Sequence, residues 1–152
     1  MKKIGLFPGS FDPFTKGHEA IVNKALPLFD TIVIGIGINS TKNYLFDLEK
    51  RKQHILSLFP GNPKIMIQTY EKLTVDFCKD INASFIIRGL RNSMDFEYEK
   101  SIANINHDIS GIETVFFLTD QHLSAISSTI IREIYRNNGD IAPFVTNALL
   151  LV

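Results

Sequence analysis

Cysteine is nearly missing from this chain of 152 residues. Cys78 is its only one, which excludes an internal disulfide and a multi-cysteine zinc site, fits a reducing compartment and leaves core packing as its expected role. A surplus of charge is missing too. Lys plus Arg number 16 and Asp plus Glu number 16, without the positive excess of a general nucleic-acid binder, so charge that binds phosphate must be placed locally. No apolar run approaches the roughly 18 residues that span a bilayer, and Met1-Lys2-Lys3 leads into only a few apolar residues before Pro8-Gly9. The expectation is a cytoplasmic protein with no membrane and no nucleic-acid partner. The chain also lacks a Gly-x-x-x-x-Gly-Lys-Ser/Thr loop, a Gly-x-Gly-x-x-Gly turn and a Gly-x-Ser-x-Gly elbow, so P-loop, dinucleotide redox and α/β-hydrolase chemistry lose support.

What is present is an ordinary globular composition, 45% apolar and 21% charged, at a length that suits one domain over residues 1–152. Ile4 to Phe7 reads as a strand ended by Pro8-Gly9. Ile21, Val22, Ala25, Leu26 and Phe29 then make one apolar helical face over about residues 17–29, with Pro27 kinking or fraying the last turn. Thr31 to Ile38 is nearly continuous and β-branched, as in a strand covered on both faces. A polar loop, Asn39 to Phe46, carries Lys42. Asp47 is a candidate N-cap for a helix with Leu48, Ile55, Leu56 and Phe59 inward.

The alternation continues to the C-terminus. Strands are predicted at 64–69, 84–87 and 113–118, with a short helix at 73–80. Met94, Tyr98, Ile102, Ile105 and Ile109 define one long helix over 93–108 with Glu99 off their stripe. Ser127-Ser128-Thr129 opens a helix with Ile130, Ile131, Ile134 and Tyr135 inward, and Ala142-Pro143 opens a last short apolar helix bearing Phe144, Leu149 and Leu150. This predicts a doubly wound, Rossmann-like α/β fold with a mainly parallel sheet of about five strands.

In such a sheet, ligands bind outside the carboxyl ends of the strands, where helix N-termini offer unpaired N–H groups to phosphate. Three segments fall there: residues 9–18 after the first strand, Arg88-Gly89-Leu90-Arg91 after the fourth, and Ser127-Ser128-Thr129 after the fifth. Lys42 adds a fourth contribution. Two helix starts thus supply backbone donors, Lys42, Arg88 and Arg91 supply fixed charge, and His18 supplies a donor that responds to charge developing in a transition state. Thr15, three residues before His18, is near enough to orient the imidazole, and Gly17 permits close backbone approach. Taken singly, the serines read as an N-cap cluster, and Arg88 and Arg91 as ion-pair partners of Asp95 or Glu99. Glu99 lies within two turns of Arg91 and is positioned to order it. His54, His107 and His122 show no metal-ligand spacing and read as structural or exposed.

Pro8-Gly9-Ser10-Phe11-Asp12-Pro13-Phe14-Thr15-Lys16-Gly17-His18 resembles the (H/T)-x-G-H signature of the nucleotidyltransferases, and Ile126-Ser127-Ser128-Thr129-Ile130-Ile131-Arg132 resembles their second signature. Ile86-Ile87-Arg88-Gly89-Leu90-Arg91 with Asp95-Phe96-Glu97-Tyr98-Glu99 is similar to a segment of bacterial phosphopantetheine adenylyltransferases, and Thr15, in place of histidine, points to that branch. The resemblance implies adenylyl transfer from ATP, carried with Mg2+, to 4′-phosphopantetheine, giving dephospho-coenzyme A and pyrophosphate. It implies that His18 stabilises the transition state, with Thr15, Lys42 and Arg91 beside it. ATP would meet Ser10, Phe11, His18, Gly89, Leu90, Arg91, Glu99, Leu123, Ser124, Ala125, Ile126, Ser127, Ser128 and Thr129. The acceptor would meet Ser10, Lys42, Thr74 and Arg88. A homohexamer subject to feedback by coenzyme A, and no resident metal, are further implications. The competing readings are an adenylyltransferase for another phosphate acceptor, such as nicotinamide mononucleotide, and a nucleotide-binding sensor without catalysis.

Overall fold

The computed structural model describes residues 1–152, in which strands and helices alternate: β1 (Ile4–Gly9), α1 (Lys16–Ala25), β2 (Thr31–Gly37), α2 (Leu48–Leu58), β3 (Ile65–Tyr70), α3 (Thr74–Asp80), β4 (Phe85–Leu90), α4 (Ser93–Ser110), β5 (Glu113–Leu118) and α5 (Ser128–Arg136). All five strands pair in parallel in the order β3-β2-β1-β4-β5. The chain winds outward from β1 to β3, then restarts beside β1 at β4. That reversal opens a crevice outside the carboxyl ends of β1 and β4.

Alternation along the central strands divides the core. Phe7, Ile32, Ile34 and Ile87 pack with Ile21, Val22 and Ala25 of α1 and Ile55 of α2, while Leu6, Val33 and Ile86 point to the other face, against Val75, Phe77 and Cys78 of α3. Burial pushes the Cys78 thiol up to about 11, so it is a packed, protonated group. A third cluster joins Phe46 and Ile131 to Ile141, Val145, Ala148 and Leu151, fastening the C-terminal segment over α2 and α5. No helix is long and apolar enough to cross a membrane.

Several sequence expectations are corrected. β4 runs on to Leu90, so Arg88 and Gly89 lie within the strand and not after it. Helix α1 stops at Ala25, short of the expected 29, while Pro27 frays its end as expected, in a single 3-10 turn, Leu26–Leu28, because proline cannot donate to the helical ladder. Leu56 and Ile130 face outward. The segment after Pro143 makes only one 3-10 turn, Ala148–Leu150, with Leu149 and Leu150 exposed, because its burial is already met by Ile141, Val145, Ala148 and Leu151. In α4 the apolar stripe of Met94, Tyr98, Ile102, Ile105 and Ile109 is 39% to 81% exposed, whereas Glu99 is buried. The helix turns Glu99, Ala103 and Asn106, with Ile102 of the stripe beside them, toward a cavity between itself and the sheet.

Candidate active site

The loop after β1 ends in Thr15, whose extended backbone makes it the N-cap of α1. A capping box follows, with His18 in the place where Glu or Gln usually stands. The Thr15 N–H donates to His18 Nδ1 at 3.0 Å, and the His18 N–H donates to Thr15 Oγ1 at 3.4 Å. Because Nδ1 accepts, the neutral ring carries its proton on Nε2. Phe11 and Phe14 lie with ring centroids 5.1 and 5.2 Å from the imidazole, and Phe7 at 6.1 Å. Burial among them, with Arg88 and Arg91 nearby, pushes the His18 pKa from 6.5 down to about 3. His18 is therefore a neutral donor at physiological pH.

The second signature is fastened to the first. Ser127 caps α5 through Ile130 N–H, and the Ser128 hydroxyl donates to the Pro13 carbonyl at 2.8 Å. Arg132 donates to the Asp12 carbonyl at 3.0 Å and to Thr129 Oγ1 at 3.1 Å. The N-termini of α1 and α5 consequently open toward one space.

Two cavities lie at this edge of the sheet. The first, of about 400 Å³, lies between α4, α3 and the strand ends and includes Thr74, Tyr70, Lys72 and Asn106 in its lining. The second, of about 360 Å³, includes Thr15, Gly17, His18, Gly89, Arg91 and residues 126–129. They share a wall: Pro8, Gly9, Ser10, Lys42, Arg88 and Glu99 line both. On that wall Lys42 Nζ donates to Ser10 Oγ at 3.2 Å. Arg88 is forked onto Glu99, Nε to Oε2 at 2.9 Å and Nη2 to Oε1 at 2.6 Å, and its Nη1 donates to the Pro8 carbonyl at 2.8 Å.

Glu99 thus orders Arg88, and the expected pairing with Arg91 is corrected. Arg91 is held by Asp95, four residues on, with Nε to Oδ2 at 3.0 Å and Nη2 to Oδ1 at 3.2 Å. Helical geometry explains the exchange: Asp95 in the first turn of α4 faces the strand end, while Glu99 one turn later reaches back to position 88. Of the other expected residues, Phe11 reaches the second cavity through a left-handed backbone, φ 49°, with its ring buried. Leu90, Leu123, Ser124 and Ala125 line neither cavity. His54 is fully buried and bonded to the Thr146 carbonyl, and His107 pairs with Glu113 at the surface, so neither joins the site.

Sequence reasoning passed over three residues. Asp12 is buried and its two carboxylate oxygens accept the N–H groups of Leu45 and Phe46 at 2.8 and 2.9 Å; an acid isolated between Phe11 and Pro13 was the available signal. Arg132 was visible as the end of the second signature. Arg51, inside the run Glu49-Lys50-Arg51-Lys52, carried no signal, yet it is 2% exposed.

A parallel sheet with two phosphate-ready helix starts at its switch point, a neutral histidine donor and paired cavities sharing a cationic wall defines a nucleotidyltransferase. Comparisons with known proteins agree. The cytidylyltransferase-like family matches residues 6–134. Phosphopantetheine adenylyltransferases of Flavobacterium johnsoniae and Flavobacterium psychrophilum are 51% and 50% identical over 144 residues, 95% of this chain and 95% of each relative. That of Bacteroides thetaiotaomicron is 47% identical over the same share. Among solved structures, a bifunctional NMN adenylyltransferase/ADP ribose pyrophosphatase from Francisella tularensis superposes with a TM-score of 0.72 at 20% identity. The match covers 99% of this chain and 49% of that one, so the chain spans about half its length and shares the fold. The chain belongs to the phosphopantetheine adenylyltransferase family of nucleotidyltransferases.

Proposed function

We propose that this enzyme transfers the adenylyl group of MgATP to the phosphate of 4′-phosphopantetheine, forming dephospho-coenzyme A and pyrophosphate, in the cytoplasm. The observation that carries the reading is the shared wall of two cavities, one beside the helix starts and His18, the other a channel under α4. ATP fits the second cavity, its phosphates at the N-termini of α1 and α5 with Arg91 and Arg132. A Cβ on Gly17 would meet only Thr15 Oγ1, at 3.4 Å. The fold itself leaves room there, and close approach by a nucleotide is a reason for glycine. The acceptor fits the first cavity, its phosphate on Lys42 and Arg88 and its arm running toward Thr74.

An acceptor phosphate oxygen then attacks the α-phosphorus as the bond to the pyrophosphate oxygen breaks on the opposite side. A phosphate monoester has a second pKa of about 6 and is mostly ionised at neutral pH, so no general base is required. The chain's work is positioning and charge stabilisation: Lys42 and Arg88 hold the nucleophile, and His18 Nε2–H donates to the oxygens that gain charge. Magnesium enters as part of MgATP. Each carboxylate at the cavities, Asp12, Asp95 and Glu99, is already engaged by N–H groups, which fits a metal carried in on the triphosphate.

Coenzyme A carries the same pantetheine arm and would compete in the first cavity, giving feedback. The exposed α4 stripe supports self-association, with a homohexamer as the expected assembly. Pyrophosphate release from MgATP with 4′-phosphopantetheine, run beside nicotinamide mononucleotide and a control without acceptor, tests the reading. Release only with phosphopantetheine supports it. Release only with nicotinamide mononucleotide discards the acceptor, and silence with both favours a nucleotide sensor.

A further inference from the structure

Lys42 and Ser10 stand on two different loops, and charge at the shared wall is useful only if those loops keep a fixed separation. Neither loop is regular secondary structure. What joins them is a buried guanidinium. Arg51 of α2 is 2% exposed, donates through Nε to the Phe46 carbonyl at 2.9 Å and through Nη1 to the Ser10 carbonyl at 2.7 Å. One planar fork therefore grips the loop after β1 and the loop after β2 together. Asp12 makes the reciprocal link, its carboxylate on the first loop accepting N–H groups of Leu45 and Phe46 on the second.

Tyr44 extends the brace to Lys42. Its ring centroid is 4.2 Å from Arg51 Cζ and 5.4 Å from Lys42 Nζ, and its hydroxyl accepts the Asn39 N–H at 2.9 Å, at the start of the loop. Lys42 is otherwise an exposed side chain among exposed neighbours, residues 39–43, free to lose its geometry. Burying a cation without a direct carboxylate partner is costly, and a well-packed apolar side chain would often serve stability as well. Arg51 lines neither cavity, so it acts on substrates only through the loops it holds.

We propose that Arg51 is a positioning residue, which locks the Ser10 and Lys42 loops at the spacing that the acceptor phosphate requires. The proposal rests on the reading of the shared wall as the phosphate site. An ammonium cannot reproduce the two-pronged grip, so Arg51→Lys separates buried charge from fork geometry.

The test is a double-mutant cycle of Arg51→Lys with Lys42→Ala, on variants whose folding is checked by thermal melting, with pyrophosphate release and equilibrium ATP binding as readouts. With Lys42 present, Arg51→Lys raises acceptor KM about tenfold or more and lowers kcat, because displacements near 1 Å at a reacting group have effects up to about a hundredfold. ATP affinity stays within about threefold. In the Lys42→Ala background the same substitution adds less than about twofold. An unchanged acceptor KM in folded Arg51→Lys, or equal effects in both backgrounds, overturns the proposal. Should Arg51→Lys fail to fold, Tyr44→Leu on the half-buried loop enters the same cycle, and additivity there overturns it equally. Wild-type protein in the same assay separates the two ideas: turnover only with a different phosphate acceptor defeats the acceptor reading, and the cycle is then run with that acceptor.

Discussion

Replacing His18 by alanine probes the chemistry most directly. The imidazole takes the Thr15 N–H on Nδ1 at 3.0 Å, so its only proton sits on Nε2, and a pKa near 3 keeps that form from about pH 5 upward. Such a group neither gains nor loses a proton in the reaction. In the proposed mechanism it contributes by strengthening one hydrogen bond as charge builds on the transferring phosphoryl. Removing one preorganised donor of this kind costs about 3 to 4 kcal/mol of transition-state stabilisation, or about 10²–10³ in kcat. Ground-state ATP affinity should change by less than about threefold, because the proposed mode of binding gives the triphosphate to other donors. The variant also loses half of the capping box, a stability cost of about 1 kcal/mol, small enough for the protein to remain folded. Steady-state pyrophosphate release gives kcat and KM, and calorimetry gives ATP affinity. An unchanged kcat refutes the argument, and so does a loss expressed wholly as weaker ATP binding. A wild-type rate limb near pH 6.5 that vanishes in His18→Ala would show a titrating imidazole, contrary to its place among Phe7, Phe11 and Phe14.

Arg88→Ala is expected to weaken acceptor binding at least about tenfold more than ATP binding, since an Arg–phosphate contact is a charge-assisted pair; the opposite order in calorimetry would exchange the two phosphate sites. Acid stability follows from the same histidine. Between pH 6.5 and about 3 the unfolded chain binds a proton that folded His18 does not, so stability rises with pH through that window and is lost as pH falls through it. The loss from this one group is about 2 kcal/mol at pH 5. His18→Ala should therefore show a shallower decline in melting temperature from pH 7 to 5 than the wild type, and equal slopes would contradict the shifted pKa. On the surface, Ile105→Glu at the middle of the exposed α4 stripe should convert the proposed oligomer to smaller species by light scattering; an unaltered mass would exclude that face from the interface.

Much of the architecture was legible because its cause is local. Thr31 to Ile38 reads as a strand since a nearly continuous β-branched run suits a position covered on both faces, and Thr31–Gly37 of it became β2, inside the sheet. Thr15 and His18 were legible as a pair since a capping box depends on a spacing of three residues. The α4 stripe was equally legible as a helix, but its spacing is silent about direction. Periodicity reports that residues share a face and not what the face meets. Here most of it points outward, with Ile102 at the cavity's edge, and Glu99 faces the cavity.

By itself, then, the sequence determined the strand and helix alternation, the two signature loops, and the cations Lys42, Arg88 and Arg91 near the strand ends. The alternation follows from backbone propensity, capping and hydrophobic period, each readable within about a dozen residues, and the signature loops from their resemblance to the nucleotidyltransferases. Only tertiary structure decided which carboxylate holds which arginine, that Ser10 and Lys42 meet across 32 positions of sequence, and that Arg51 reaches 41 positions back to the Ser10 carbonyl. Those contacts are set by the pairing of β1 with β2 and the docking of α2 over them, which bring distant backbone together. A guanidinium in a run of charged residues reads like any solvated one until the fold buries it.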